Sequence, residues 1–295
     1  MTRYLTLLLV AMFHGASSGF VSFASGESVP IAADKSGYHL FNPTPRTLMR
    51  EMSTDRPDRT ESPYTVDAGH FQIEMDVFSY SYDRHNSDRN DVRAESLSIA
   101  PVNLKLGLYN NVDLQLVLET YNSVRVHDRD ASTVVKQRGI GDVIPRLKFN
   151  LWGNDGGRTA FGVMPFVKLP TNQDRLGNNS VEGGVIFPLA VALPHGVGMG
   201  VMSEFDFIRD ESGGGHHAEF VNTLTFSRDL FGALGGYVEF FSAVSAESDS
   251  SWVGTFDCGF TYGLTEDIQL DAGVNIGVTR PADDWNPFLG ITWRY

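Results

Sequence analysis

The feature that most constrains this chain is a series of long segments, from residue 68 to 295, in which apolar and polar residues alternate. Each segment has roughly 10–15 residues and is separated from the next by turn residues. A period of two is typical of β-strands, because successive side chains point to opposite faces. We therefore predict twelve strands, at 69–82, 93–108, 112–126, 139–151, 158–170, 180–193, 197–209, 216–228, 233–246, 251–263, 267–280 and 286–295.

The connections between these segments alternate in length. Short connections read YNN, GNDGG, LPHG, RDLFG and LTED, and longer polar ones lie between them at 83–91, 127–138, 171–179, 209–217, 246–251 and 280–285. Outer-membrane barrels have this asymmetry, with tight periplasmic turns and longer external loops. A soluble β-sandwich is not expected to alternate the lengths of its loops so regularly. The pattern predicts an all-β fold, an antiparallel up-and-down transmembrane β-barrel of about 12 strands.

Strand length indicates which solvent the apolar faces meet. In the segment DIQLDAGVNIGV (267–278), Ile268 and Leu270 lie on one face, and Gln269 and Asp271 lie on the other. A soluble antiparallel sheet also alternates, so a soluble sandwich is the alternative fold. Crossing the hydrocarbon takes about 9–11 tilted residues, whereas globular strands usually have about five or six. We therefore expect the apolar faces to contact outer-membrane lipid.

Both ends of the chain fit this interpretation. The N-terminal sequence has Arg3, an apolar run from Tyr4 to Phe13 and then small residues, which is the layout of a secretory signal peptide. The last strand ends on the aromatic Tyr295, which suits insertion by the barrel-assembly machinery. We predict a signal peptide at 1–25, an N-terminal periplasmic segment at 26–67, and an outer-membrane barrel at 68–295.

If the apolar faces meet lipid, the polar faces line the interior. Eight-stranded barrels are filled by their own side chains and 16-stranded barrels leave a water channel, so about twelve strands predict a narrow pore or a plugged lumen. The candidates for lumen-lining residues carry both signs of charge, with acids in the majority. They are Glu74, Asp76, Lys105, Asp113, Glu119, Asp142, Arg146, Lys148, Lys168, Glu182, Glu204, Asp206, Glu239, Asp257, Asp271, Asn275 and Arg294.

A charge-dense stretch precedes the first predicted strand. Residues 54–74 read TDRPDRTESPYTVDAGHFQIE. This stretch, on an exported chain with about a dozen strands behind it, resembles the MetA-pathway of phenol degradation family. The resemblance implies an outer-membrane β-barrel transporter and the passage of aromatic or other small hydrophobic compounds. It supplies no catalytic residues.

The charged side chains of this stretch are the candidates for a constriction or plug. Arginine can bind a carboxylate through two hydrogen bonds, and the two prolines, Pro57 and Pro63, favour an extended backbone. We hypothesise that the stretch enters the periplasmic mouth of the barrel, possible partners being the lumen charges; a solvated linker is the alternative. The candidates are Asp55, Arg56, Asp58, Arg59 and Glu61.

Other chemistry finds little support in the sequence. The net charge of −13 argues against a nucleic-acid partner. His216 and His217 are adjacent and lack the spacing of a helical zinc site, so neither a metal nor a cofactor is expected. The sequence predicts a non-enzymatic passive channel of the outer membrane for small, aromatic or hydrophobic solutes. The alternatives are a barrel enzyme of the lipase or protease type and a closed structural or adhesive barrel.

Overall fold

The computed structural model describes residues 34–86, 92–210, 214–247 and 250–295. The predicted signal peptide at 1–25 lies outside the described residues, as does the beginning of the predicted periplasmic segment. Two short 3-10 turns, Arg46–Leu48 and Pro194–Gly196, interrupt an otherwise β-structured chain. Within the described ranges, no helix has the length and apolar character needed to cross a membrane.

The strands form one antiparallel sheet that closes on itself. Gln72 at the start of the first strand pairs with Arg294 in the last, and Tyr82 pairs with Trp285. The strands are β1 (Phe71–Asn86), β2 (Val92–Ile99), β3 (Val102–Tyr109), β4 (Val112–Leu118), β5 (Tyr121–Asp128), β6 (Thr133–Gly139), β7 (Val143–Trp152), β8 (Thr159–Lys168), β9 (Glu182–Leu193), β10 (Val197–Arg209), β11 (His216–Phe231), β12 (Leu234–Ser245), β13 (Val253–Thr265), β14 (Ile268–Gly277) and β15 (Trp285–Arg294).

Three spanning strands are each divided into two by a short break. The halves are β2 and β3, β4 and β5, and β6 and β7. β1 pairs with β2 along its second half and with β3 along its first half. β4 and β5, and then β6 and β7, continue this ladder in the same way. Pro101 lies in the first break, where it has no N–H to donate to a ladder. Counting each pair once gives twelve spanning strands, and the predicted fold is confirmed.

Two predicted connections differ from the structure. The expected short connection RDLFG is mostly strand, because β11 continues to Phe231 and only 232–233 remain as a turn. The second difference is larger. Residues 127–138 were expected to form a long polar loop, but β5 continues to Asp128 and β6 begins at Thr133. Val126 pairs with Val135 across this hairpin. β-Branched residues such as Thr133 and Val134 favour extended backbone, and their pairing with β5 outweighs the polar character of the stretch. Only 129–132 remain as a turn.

The barrel is polar inside and apolar outside. Lys148 and Asp113 are completely buried in its interior, whereas Phe207 and Phe260 have 60% and 57% of their surface exposed on the outside. Water-soluble proteins show the opposite distribution, since lysine and aspartate are almost never fully buried unless paired. An apolar outer band around a polar interior is the distribution of a transmembrane β-barrel. In outer-membrane barrels the short turns lie on the periplasmic side, and by that convention we call the end of this barrel with the short turns the periplasmic end.

Candidate functional site

Residues 53–66, the strap, lie inside the barrel immediately before β1. Asp55 and Arg56 are 0% and 3% exposed, and Glu61 is 4% exposed. The Ser62 N–H donates to Asp55 Oδ1 at 3.0 Å, and the hydroxyls of Ser53 and Ser62 are 2.8 Å apart. These bonds close the strap into a loop, and the residues between Asp55 and Ser62 extend across the lumen.

One side of the lumen carries its own cations, and we name this set the cation wall: Lys105, Arg146, Lys148 and Lys168, on β3, β7 and β8. The strap places Asp55 and Glu61 against this wall. Lys148 Nζ donates to both oxygens of Asp55, at 2.7 and 2.9 Å, and Lys105 forms a second ion pair with the same carboxylate. Arg146 Nη1 donates to Glu61 Oε1 at 2.7 Å.

On the other side, the buried charged side chains of the described residues are all acids, and we name this set the acid wall: Glu204, Asp206, Glu219, Glu239, Asp257 and Asp271, on β10 to β14. No lysine or arginine is buried on these five strands within the described residues. Asp206 pairs directly with Glu219, and Glu239 with Asp257. Like charges directly opposite each other on a sheet are destabilising, so this wall requires cations from elsewhere.

Arg56 of the strap supplies one such cation. Its Nε and Nη2 donate to the two oxygens of Asp271 at 3.1 and 2.7 Å, and Nη2 also lies 2.5 Å from Asp76 Oδ1 on β1. Gly290 on β15 leaves the space for this guanidinium, because a Cβ at that position would overlap Arg56. The pairing is the two-pronged contact that arginine makes with a carboxylate.

Arg59 supplies the second cation to the acid wall. Its guanidinium lies 3.7 Å from Asp257 Oδ2 and 4.4 Å above the ring of Phe241, and its backbone N–H donates to Glu239 Oε2 at 2.7 Å. Asp58 is also buried here and adds a further acid beside the same two wall acids, Glu239 and Asp257. The predicted strap residues therefore contact opposite sides of the barrel interior, Asp55 on the cation wall and Arg56 and Arg59 on the acid wall.

The other predicted lumen residues are buried in the interior, apart from the half-buried Glu119. Several of them have partners within the wall or the loops: Glu74 pairs with Lys105 at 2.6 Å, Asp113 accepts from Val66 N at 3.0 Å, Asp142 accepts from Asn172 N at 2.9 Å, Lys168 pairs with Glu182, Asn275 donates to Asn286 at 2.9 Å, and Arg294 pairs with Asp267 at 2.8 Å. Arg294 lies at the periplasmic end, away from the strap's centre.

The segment before the strap is attached to the periplasmic turns. Arg50 lies 2.9 Å from Asp155 in the β7–β8 turn and 3.4 Å from Asp67, and Lys35 pairs with the same two carboxylates at 2.8 and 3.3 Å. Burial acts to raise the pKa of Asp155, but hydrogen bonds from Lys35 and Asn110 and the charge of Arg50 hold it below its ordinary value. These ion pairs fix both ends of the strap.

An apolar group inside the lumen was not among the predicted site residues. We name it the interior stripe: Met164, Ile186, Met202, Val221, Phe241 and Ala243, on the inner face of β8 to β12. The strap packs beside it, since Glu61 N lies 3.3 Å from Met202 Sδ. Alternation alone places these residues inward. They carry no charge, so the charge pattern of the sequence does not mark them as site residues.

A cavity lies beside the strap, toward the ends of β8 to β10 that carry the long loops. The space free of protein atoms there is about 490 Å³, counting the part that is open to solvent. Its lining combines charged groups with the apolar side chains Ile144, Phe166 and Ile208. Arg146, which holds Glu61 of the strap, also lines the cavity. The strap and the cavity therefore share one residue.

Comparison with known families identifies the chain. The sequence profile of a family described as "Putative MetA-pathway of phenol degradation" matches residues 54–295, which include every described strand and all of the strap except Ser53. The chain belongs to this family. The resemblance predicted from residues 54–74 is confirmed, and this family member is a bacterial outer-membrane β-barrel. Among curated proteins, none matches the chain.

Solved structures share the fold of this MetA-pathway family member. The COG4313 outer membrane channel from Pseudomonas putida F1 is similar with a TM-score of 0.63 and 14% identity, over 82% of this chain and 99% of that one. The NanC porin is similar with a TM-score of 0.50 and 8% identity, over 75% of this chain and 98% of that one. At these identities the comparison establishes the barrel architecture.

Proposed function

We propose that the protein is a passive channel of the outer membrane for small solutes, and that the strap is its constriction. The observation that carries the proposal is the set of ion pairs that hold the strap across the lumen. Asp55 binds the cation wall and Arg56 binds the acid wall, so the strap bridges opposite sides of the barrel. A segment in this position controls what passes the middle of the lumen.

The charged interior favours a channel over a closed structural barrel. Replacing buried ion pairs with well-packed apolar residues is often neutral or stabilising, because apolar groups avoid the cost of desolvating charge. A closed barrel with a purely structural role would therefore gain no stability from ten charged side chains on its two walls. Charges along a lumen are instead the means by which channels select solutes.

The interior stripe and the cavity indicate the class of solute. Phe166 lines the cavity and packs against the interior stripe, so apolar surface continues from the cavity to the strap. This surface suits the apolar body of a small aromatic or hydrophobic compound, and the nearby Arg146 and Glu204 can bind a polar substituent. The name of the family, phenol degradation, agrees with such a solute.

A reversible lock on the strap tests the proposal in the full-length chain. Thr60 on the strap and Thr223 on β11 have their hydroxyl oxygens 2.7 Å apart, so cysteines at both positions can form a disulfide. Cys258 is replaced by serine in every variant to leave a single pair. We expect the oxidised form to conduct less than the reduced form in a planar bilayer, and reductant to restore the current.

Matched variants separate the possible results. Each single-cysteine variant has no lock and is expected to ignore oxidant. Phenol, used as the probe solute, should cause brief current interruptions in the reduced channel. Equal conductance in the oxidised and reduced forms would remove the strap from the mechanism, whereas silence from every correctly folded form would remove the channel itself and favour a closed barrel or a barrel enzyme.

A further inference from the structure

Three potential metal ligands meet at the end of the barrel that carries the long loops. Asp210 follows β10, His217 lies in β11, and Glu247 follows β12. One ligand atom from each residue lies within 4.8 Å of the others. His217 Nδ1 is 3.1 Å from Asp210 Oδ1 and 3.8 Å from Glu247 Oε2. The three side chains come from three neighbouring strands, yet they converge on one point.

These distances suit a single bound ion. Zinc binds nitrogen at about 2.0–2.1 Å and carboxylate oxygen at about 2.0–2.2 Å in tetrahedral geometry, which puts ligand atoms roughly 3.4 Å apart. The two distances from His217 Nδ1 lie on either side of that value. One imidazole and two carboxylates leave a fourth position for water, as in zinc sites with three protein ligands. Calcium is a poorer fit, because it takes 6–8 oxygen ligands.

The local backbone brings the ligands together. The Asp210 N–H donates to Gly215 O at 3.1 Å, and a Cβ at Gly215 would come within 2.5 Å of Asp210 Oδ2. Glycine at this position therefore lets the carboxylate turn toward His217. On the other side, the Glu247 N–H donates to Ser245 Oγ at 3.1 Å, and Ser250 N donates to Glu247 O at 3.3 Å. The backbone of both acidic residues is therefore held by hydrogen bonds to neighbouring residues.

The three side chains are reachable from outside the barrel without being freely exposed. Their side-chain exposures are 27% for Asp210, 13% for His217 and 28% for Glu247. His216, the preceding residue, points away from the group and its Nε2 lies 3.1 Å from Val181 O. The geometry thus distinguishes two adjacent histidines that the sequence alone cannot separate.

We propose that Asp210, His217 and Glu247 form a binding site for Zn²⁺ or a similar divalent transition metal. The bound ion joins the ends of β10, β11 and β12 into one unit at the outer rim. This rim stands above the cavity, because Arg209 N donates to the cavity residue Glu182 at 2.9 Å. Metal binding therefore stiffens the entrance of the lumen. The proposal is independent of the proposed channel function.

Isothermal titration of the tag-free, detergent-folded protein with Zn²⁺ tests the site. We expect one equivalent to bind, His217→Ala and Glu247→Gln each to weaken binding about tenfold or more, and His216→Ala to bind like the natural chain. Heat-modifiable gel migration checks that each variant has a folded barrel. Cobalt provides a second measurement, since a tetrahedral nitrogen and oxygen site gives it a visible absorption band that His217→Ala should abolish.

Each contrary result overturns the site. Failure of the natural chain to bind Zn²⁺ would leave only a histidine hydrogen-bonded between carboxylates. Binding that persists in His217→Ala, or that is lost equally in His216→Ala, would place the ion elsewhere. A conservative variant, His217→Gln, keeps the polarity and approximate size of the side chain, so a folded protein is still available if the alanine variant fails to fold.

Discussion

The two walls of the lumen differ in where their balancing charges come from. On the cation wall, Lys105 has Glu74 as a neighbour and Lys168 has Glu182, so the wall holds part of its own neutralising charge. On the acid wall, six carboxylates face the lumen and the described residues of the same strands bury no lysine or arginine. Two of these carboxylates, Asp271 and Asp257, lie beside guanidinium groups of the strap.

This difference shows what the strap contributes to each wall. Removing the strap would leave the cation wall with two of its four cations still in ion pairs, but it would leave the acid wall without either arginine. The acid wall therefore depends on the strap more than the cation wall does, because like charges stand directly opposite each other on the acid wall. We therefore expect substitutions that break strap contacts on the acid wall to have larger effects than those that break strap contacts on the cation wall.

The largest effect is expected from Arg56→Met. This change leaves Asp76 and Asp271 buried without their shared guanidinium, and breaking a buried ion pair from one side costs about 3–5 kcal/mol. The strap should then leave the lumen for part of the time, and mean single-channel conductance should rise several-fold. Arg46→Met is the matched control, because Arg46 is 65% exposed in its pair with Asp267 and an exposed pair contributes little.

Gly290→Ala tests the same contact without changing any charge. The added Cβ would overlap the Arg56 guanidinium, so the strap should be displaced in this variant as well. An increase in conductance for both variants, with none for Arg46→Met, assigns the effect to the docked arginine. Normal conductance in both folded variants would show that Arg56 does not hold the strap.

A smaller effect is expected on the cation wall from Lys148→Met. Asp55 loses one of two lysines and keeps Lys105, so the change removes one charge-assisted hydrogen-bonding partner, worth about 1.5–3 kcal/mol. A double-mutant cycle with Asp55→Asn measures the pair through the fraction of time the channel spends in its open state. Additive effects of the two substitutions would mean that Asp55 and Lys148 are not coupled.

The excess of acid predicts ion selectivity. With the strap docked, the six wall carboxylates and the strap acids Asp55, Asp58 and Glu61 outnumber the four wall cations and the two strap arginines, so a KCl gradient should give a reversal potential that indicates cation preference. Glu219→Gln should reduce this preference and Lys168→Met, on the opposite wall, should increase it. Raising the salt from 0.1 M to 1 M shortens the Debye length from about 10 Å to about 3 Å, and the preference should fall. Anion preference in the natural chain would contradict the comparison of the two walls.

The fold could be predicted from the sequence because the barrel is governed by a local rule. Alternation at a period of two decides which side chains of each strand face lipid, as Asp271 and Leu270 illustrate. The break at Pro101 and the extra pairing of Thr133 depend on a neighbouring strand, and local pattern did not reveal them. Strand length and pairing partner are properties of the whole sheet.

The candidate site was predictable only in part, for a related reason. Charge and spacing indicated that Asp55, Arg56 and Arg59 act inside the barrel, but not that each faces a wall of opposite sign. That sorting depends on which strands are neighbours after closure. The proposed metal site has the same origin, since Asp210, His217 and Glu247 are joined by the ends of three strands and share no sequence motif.

The smallest expected effect concerns pH and the periplasmic attachment. Burial acts to raise the pKa of Asp267, but hydrogen bonds and charge from Arg294 and Arg46 hold that pKa below its ordinary value. The pKa of Asp155 is lowered in the same way by its own partners. A carboxyl whose folded pKa is lowered stabilises the folded contact above its unfolded pKa, about 3.9 for aspartate, and loses that contribution as the pH falls through the folded value. The attachment should therefore hold between pH 8 and 5 and loosen below about 4.

A nitroxide at position 36 reports this loosening directly, because Ser36 is exposed and adjacent to Lys35. Its electron paramagnetic resonance spectrum should be constant from pH 8 to 5 and become more mobile below about pH 4. Asp155→Asn should give the mobile spectrum already at neutral pH, since Lys35 and Arg50 then lose a shared carboxylate. A spectrum that loosens near pH 6 would indicate a histidine as the titrating group, and the periplasmic carboxylates would not be what fixes the strap.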